Sequence, residues 1–236
     1  MTLTLAGITL HEFDVAATDL LLCFEAWTFA LLLSRRPAMP ARLRTLAVAL
    51  FATLGLSSLL GAAFHAFFPE KAGTTGGYLV WIATGISIAL TTSVVWTLDA
   101  LLLNHRALSR AVSALVPVYF AAFVGVLVFV DYRFKTIISF YAPAVVALAV
   151  IAVRMYAKSR GREALYLVLG TGLSFAAAAV QVLKVDVHPQ YFNFNALYHL
   201  IQGIALAFLF ASLRLLRPEL PQDPQDLQSR GRSGSS

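Results

Sequence analysis

Residues 46–68 read LAVALFATLGLSSLLGAAFHAFF, 23 residues without an Asp, Glu, Lys or Arg, bounded by the basic string RLR at 42–44 and by Pro69. At 1.5 Å per residue such a helix runs to about 34 Å, the length that crosses the roughly 30 Å hydrocarbon core of a bilayer. Six further stretches have the same character, so the spacing predicts seven spans, at 15–33, 46–68, 78–103, 112–130, 136–156, 164–185 and 195–216. The expected fold is an all-α membrane protein, a seven-transmembrane-helix bundle. Composition agrees: 59% hydrophobic residues, only 13% charged and a mean hydropathy of +0.76 leave too little polar surface for a soluble domain.

The breaks between spans are rich in Pro, Gly and charge, as loops should be. Their cations set a direction. The first, third and fifth loops with the C-terminal segment carry Arg35, Arg36, Arg42, Arg44, Arg106, Arg110, Arg154, Lys158, Arg160, Arg162, Arg214, Arg217, Arg230 and Arg232, whereas the other side carries only Lys71, Arg133, Lys135 and Lys184. The positive-inside rule then predicts an extracytoplasmic N-terminus and a cytoplasmic C-terminus, in a plasma or inner membrane. Topology accounts for the net charge of +6, and no nucleic-acid partner is needed; the expected partners are membrane lipids.

Residues 1–218 form the expected transmembrane domain. The segment 219–236, rich in Pro, Gln, Ser and Gly, reads as a disordered cytoplasmic tail. Glu12 and Asp14 stand where a secretion leader would place basic residues, so no cleavage is expected. The single cysteine, Cys23, rules out an intrachain disulfide.

An ionisable group inside a span costs roughly 2.5–3.5 kcal/mol on insertion scales, so each one asks for a partner or a function. Asp19 and Glu25 lie in span one, His65 near the outer end of span two, Asp99 near the inner end of span three and His199 in the first turns of span seven. Asp99 is close to Arg106 and reads as an interfacial ion pair. His65 and His199 share a depth, about 6 Å inside the extracytoplasmic end. Asn195, His199 and Gln202 fall at i, i+4, i+7, and Ser58, Gly61 and His65 at i, i+3, i+7, each a single helix stripe. Thr18, Glu25 and Thr28 on span one, and Ser174 with Gln181 on span six, add polar faces. Together they outline one polar interior. Each residue also has a plainer reading: the histidines as hydrogen-bonded helix-end residues, and Glu25 and Asp19 as carboxyls bonded to neighbouring helices. GTTGG at 73–77 has no following Lys and is a loop, and span seven has no lysine for a retinal Schiff base.

The strings FEAWT at 24–28, GAAFH at 61–65 and NALYH at 195–199, set in seven spans, resemble the CREST superfamily of alkaline ceramidases and adiponectin-receptor-like proteins. The resemblance implies an intramembrane lipid amide or ester hydrolase whose zinc-activated water is held by histidines of spans two and seven. On this chain it maps metal ligation onto His65 and His199, with Asn195 where the family has a further histidine. Gly61 stands at the family serine, and the outer half of span three offers Thr84 and Ser87 rather than an aspartate. Glu25 or Asp19 would then complete a His-His-carboxylate set and serve as the catalytic carboxylates. The alternative is a non-catalytic seven-helix protein, lipid-binding, sensory or scaffolding, that keeps the fold without the metal site.

Overall fold

The computed structural model describes residues 2–5, 7–103, 105–188 and 191–216. The expected tail at 219–236 lies outside them. Seven helices long and apolar enough to cross a membrane account for most of the chain: α1 (Phe13–Ser34), α2 (Ala41–Phe67), α3 (Thr75–Leu102), α4 (Arg106–Phe129), α5 (Phe134–Ser159), α6 (Arg162–Leu183) and α7 (Phe194–Leu215). The helices α2 and α4 begin five and six residues before their apolar runs, and α5 continues past its run through Lys158. Hydropathy marks only the apolar stretch, whereas a helix continues through the interface wherever Arg and Lys can extend their heads towards water.

One element was not expected. Strands β1 (Leu3–Leu5) and β2 (Ile8–Leu10) pair antiparallel, with Leu5 opposite Ile8 and Gly7 at φ 82 in the turn between them. The alternation in TLTL and ITL is the hairpin signal. The hairpin leads into α1, and the amide of His11 donates to the carbonyl of Ala66 at the end of α2, 2.9 Å away.

The helices close into a ring in the order α1, α2, α3, α5, α6, α7, with α7 packed back on α1; α4 rides on the outside of α3 and is the least enclosed of the seven. Water provides little drive for helix association within lipid, so close approach and polar contacts must supply it. Glycines make the approach. A Cβ at Gly55 would come within 2.3 Å of the Trp27 ring, whose Nε1 donates to the Ala52 carbonyl at 3.2 Å, joining α1 to α2. At Gly170 a Cβ would meet Leu209 at 2.8 Å, where α6 meets α7, and Ser212 donates to the Glu163 carbonyl at 2.7 Å on the same seam. The core beneath the basic end is aliphatic and aromatic, with Phe29 stacked on Phe210 at 4.3 Å and edge-on to Phe51 at 5.4 Å.

The same packing separates intolerant glycines from permissive ones. A Cβ at Gly77 would fall 1.9 Å from the Lys71 carbonyl oxygen, while Gly125 on α4 has nothing within 4 Å. Gly77→Ala should lower stability by about 2 kcal/mol or more, and Gly125→Ala should raise it by up to about 1 kcal/mol. Thermal melts of the two purified variants in one detergent check both signs.

Candidate functional site

The site lies where the N-terminal halves of α1 and α7 meet. Thr18 and Asp19, adjacent on α1, both reach His199 on α7: Thr18 Oγ1 is 3.0 Å from Nδ1, and Asp19 Oδ1 is 3.3 Å from Nε2. Asp19 and His199 are buried. The Thr18 hydroxyl has backbone acceptors one turn back, the carbonyls of Asp14 and Val15 at 3.0 and 2.9 Å. When it donates there, its oxygen accepts from Nδ1–H, and Nε2 is left facing the Asp19 carboxyl. Gly61 on α2 makes room for this pair, since a Cβ there would stand 2.9 Å from Asp19 Oδ2. The position expected to hold the family serine is thus the wall against which the aspartate packs.

The polar seam between α1 and α7 extends both ways from His199. Towards the N-terminal ends of the two helices, the amide of Asn193 donates to Asp14 Oδ2 at 3.4 Å. Deeper, Glu25 lies over Gly203, where a Cβ would meet its Oε2 at 2.9 Å. Tyr198 is within electrostatic range of Asp19 and Tyr141.

His65 belongs to a second cluster at the same end. Its Nδ1 bonds the Glu12 carboxylate, which also accepts from the Lys71 ammonium; Lys71 Nζ lies 3.5 Å from His65 Nδ1. Glu12 and Lys71 both adopt left-handed backbone conformations, φ 43 and φ 55, which side chains other than glycine take up at a cost of order 1 kcal/mol. Their mutual ion pair helps hold both turns. His65 is within electrostatic range of His199, so the two imidazoles do share one end of the bundle.

The remaining polar groups of α7 turn the other way. Asn195 Oδ1 accepts from Gln181 on α6 at 3.3 Å, and Gln202 donates to Ser174 at 3.2 Å. The single stripe read from sequence therefore divides, with His199 serving α1 and its neighbours serving α6. Ser174, Gln202, Tyr141 and Thr171 border a central cavity of about 20 Å³, room for one water, otherwise lined by Leu and Val. Asp99 is buried in α3, and among the described residues its two oxygens have no hydrogen-bond partner, in place of the expected pairing with Arg106.

A catalytic zinc asks for three donors converging on one open position. Among the described residues no group of three or more His, Cys, Asp and Glu side chains is gathered in that way. His199 is bonded to Thr18 at Nδ1 and faced by Asp19 at Nε2, His65 is held by Glu12, and Asn195 is held by Gln181. The residues as arranged do not fit the ion, and no step is derived through it. Glu12 and Lys71 were missed as cluster members. Glu12 and Lys71 precede and follow spans, where charge looks ordinary, and only the fold brings them to His65.

The hydrogen bond from His65, with that from Lys71 and the charges of both, outweighs partial burial and holds the Glu12 carboxyl down at about 2, against an ordinary 4.5. A depressed carboxyl stabilises the fold above its ordinary range and loses that contribution as pH falls towards the lowered value. Glu12 is about one-third exposed, so solvent screening limits the contribution to about 1 kcal/mol. Glu12→Gln should lower the melting temperature at neutral pH and flatten its fall between pH 4.5 and 2; melts across that range compare the variant with the wild type.

No curated protein matches the chain. A family model does match, over residues 15–218, from the first turn of α1 to just past the end of α7. The chain thus belongs to DUF6962, a family of unknown function.

Proposed function

We propose that this chain is a non-catalytic, lipid-binding member of the seven-helix membrane proteins, with its N-terminus outside and its C-terminus in the cytoplasm. One observation carries the reading: the two imidazoles stand in separate partnerships, His199 with Thr18 and Asp19, and His65 with Glu12 and Lys71. Such pairs tie helices together and present polar groups to a ligand, and they leave no open position for an activated water. Lys71 and Glu12, both over a third exposed at the end of the bundle, supply the charged groups a lipid headgroup would meet. The orientation is supported by the unequal distribution of Arg and Lys between the two ends.

A ceramidase-like lipid hydrolase is the second reading, and one feature favours it. A carboxylate bonded to one imidazole nitrogen is the arrangement that orients metal-binding histidines, and Asp19 stands so against His199. In that reading Asp19 or Glu25 joins His65 and His199 after modest rearrangement.

Metal analysis of purified protein separates the two. The first reading predicts zinc well below one ion per chain in wild type, and His65→Ala that alters stability or the lipid retained on purification. One equivalent of zinc, lost in both His65→Ala and His199→Ala, would replace it with the hydrolase.

A further inference from the structure

The opposite end of the bundle carries a cluster of arginines built from three helix ends. Arg35 and Arg36 close α1, Arg42 and Arg44 lie in the first turn of α2, and Arg214 lies in the last turn of α7. Two of them are anchored on main chain: Arg36 Nη1 donates to the Arg214 carbonyl at 2.9 Å, and Arg44 Nη1 donates to the Arg36 carbonyl at 3.1 Å. Beneath them Leu33, Met39, Leu43 and Leu216 are buried, so the turn that presents the guanidinium groups has a packed floor. Anchoring of this kind fixes position without neutralising charge.

No carboxylate forms an ion pair with these arginines within the described residues. The ion pairs that the described residues form lie elsewhere, at Glu12, Asp131 and Asp19. The first turn of α2 holds no acidic residue and its N-cap makes no side-chain hydrogen bond, so two cations sit at the positive end of a helix dipole. Flanking the cluster, Leu31, Leu32 and Leu215 are exposed. Apolar surface directly below preorganised guanidinium forks is the profile of a phospholipid, with acyl chains along the leucines and the phosphate above.

We propose that the Arg36–Arg44–Arg214 cluster is a binding site for the phosphate of an anionic phospholipid in the leaflet it faces. The proposal rests on the helices spanning a bilayer and is independent of the cluster around His199. An Arg beside an anionic headgroup is worth about a factor of five, an attraction that falls off within a Debye length, and anchored forks add selectivity for phosphate.

The test uses the full chain in nanodiscs of phosphatidylcholine and phosphatidylglycerol, extracted into detergent, with retained lipid measured by native mass spectrometry. R36Q/R44Q should lower phosphatidylglycerol retention relative to phosphatidylcholine by about 25-fold, about fivefold for each Arg. R110Q/R154Q, which removes equal charge elsewhere on the same end, should change it less than about twofold, and inorganic phosphate should not displace the lipid. R36K/R44K, which keeps the charge and loses the fork, should fall between and serves if the Gln pair does not fold. Equal loss in both Gln pairs, full retention in R36Q/R44Q or R36K/R44K, or displacement by inorganic phosphate would overturn the proposal. Failure of the wild type to enter nanodiscs would instead overturn the membrane reading beneath it.

Discussion

A histidine held between two side chains of the neighbouring helix, a threonine hydroxyl at one ring nitrogen and a carboxyl facing the other, fixes how the first and last spans of this protein meet. His199 bonds Thr18 through Nδ1 and faces Asp19 through Nε2 at 3.3 Å, so α7 has one register on α1 in which both contacts are made. Within lipid this constraint is severe, because slippage by one residue would leave a buried carboxyl and an imidazole without partners where no water replaces them. The ring of helices closes on this contact. Asp14 with the Asn193 amide above, Glu25 over Gly203 below, and the stacked Phe29 and Phe210 deeper still all follow from the same register.

The two ends of the bundle differ in how they treat charge. At the N-terminal end, charges are paired across elements: Glu12 with His65 and Lys71 ties the entry of α1 to the exit of α2 and to the turn before α3. That pairing holds two left-handed turns in place and brings the hairpin against α2. At the basic end, arginines bond main-chain carbonyls and keep their charge. At one end charges pair with one another, and at the other arginines bond main chain, so folding and a net charge of +6 are compatible.

Much of this was legible in the sequence and some was not, for physical reasons. The seven helices and their order were readable because an unbroken apolar run has no other stable form in lipid. Asp19, Glu25 and His199 could be picked out as candidates from their cost inside a span. Their pairing was not, because helical periodicity gives the face of one helix and says nothing of which neighbour it meets. Asn195 and His199 share a stripe by spacing, yet the 40° between positions four apart sends one to α6 and the other to α1. Gly61 illustrates the same limit. It looked like a lost serine and is the clearance that lets Asp19 approach α2. Asp99 also departed from its expected role, since nearness in sequence to Arg106 did not give it a hydrogen-bond partner.

The contact between Asp19 and His199 is open to a double-mutant cycle. Stability of wild type, Asp19→Ala, His199→Ala and the double variant would be measured by reversible unfolding in mixed micelles. A register lock of this kind predicts a coupling energy of about 1–2 kcal/mol, at the upper end of polar pairs between membrane helices. Additivity to within about 0.4 kcal/mol would show that the two residues do not hold α1 on α7, and would contradict the account.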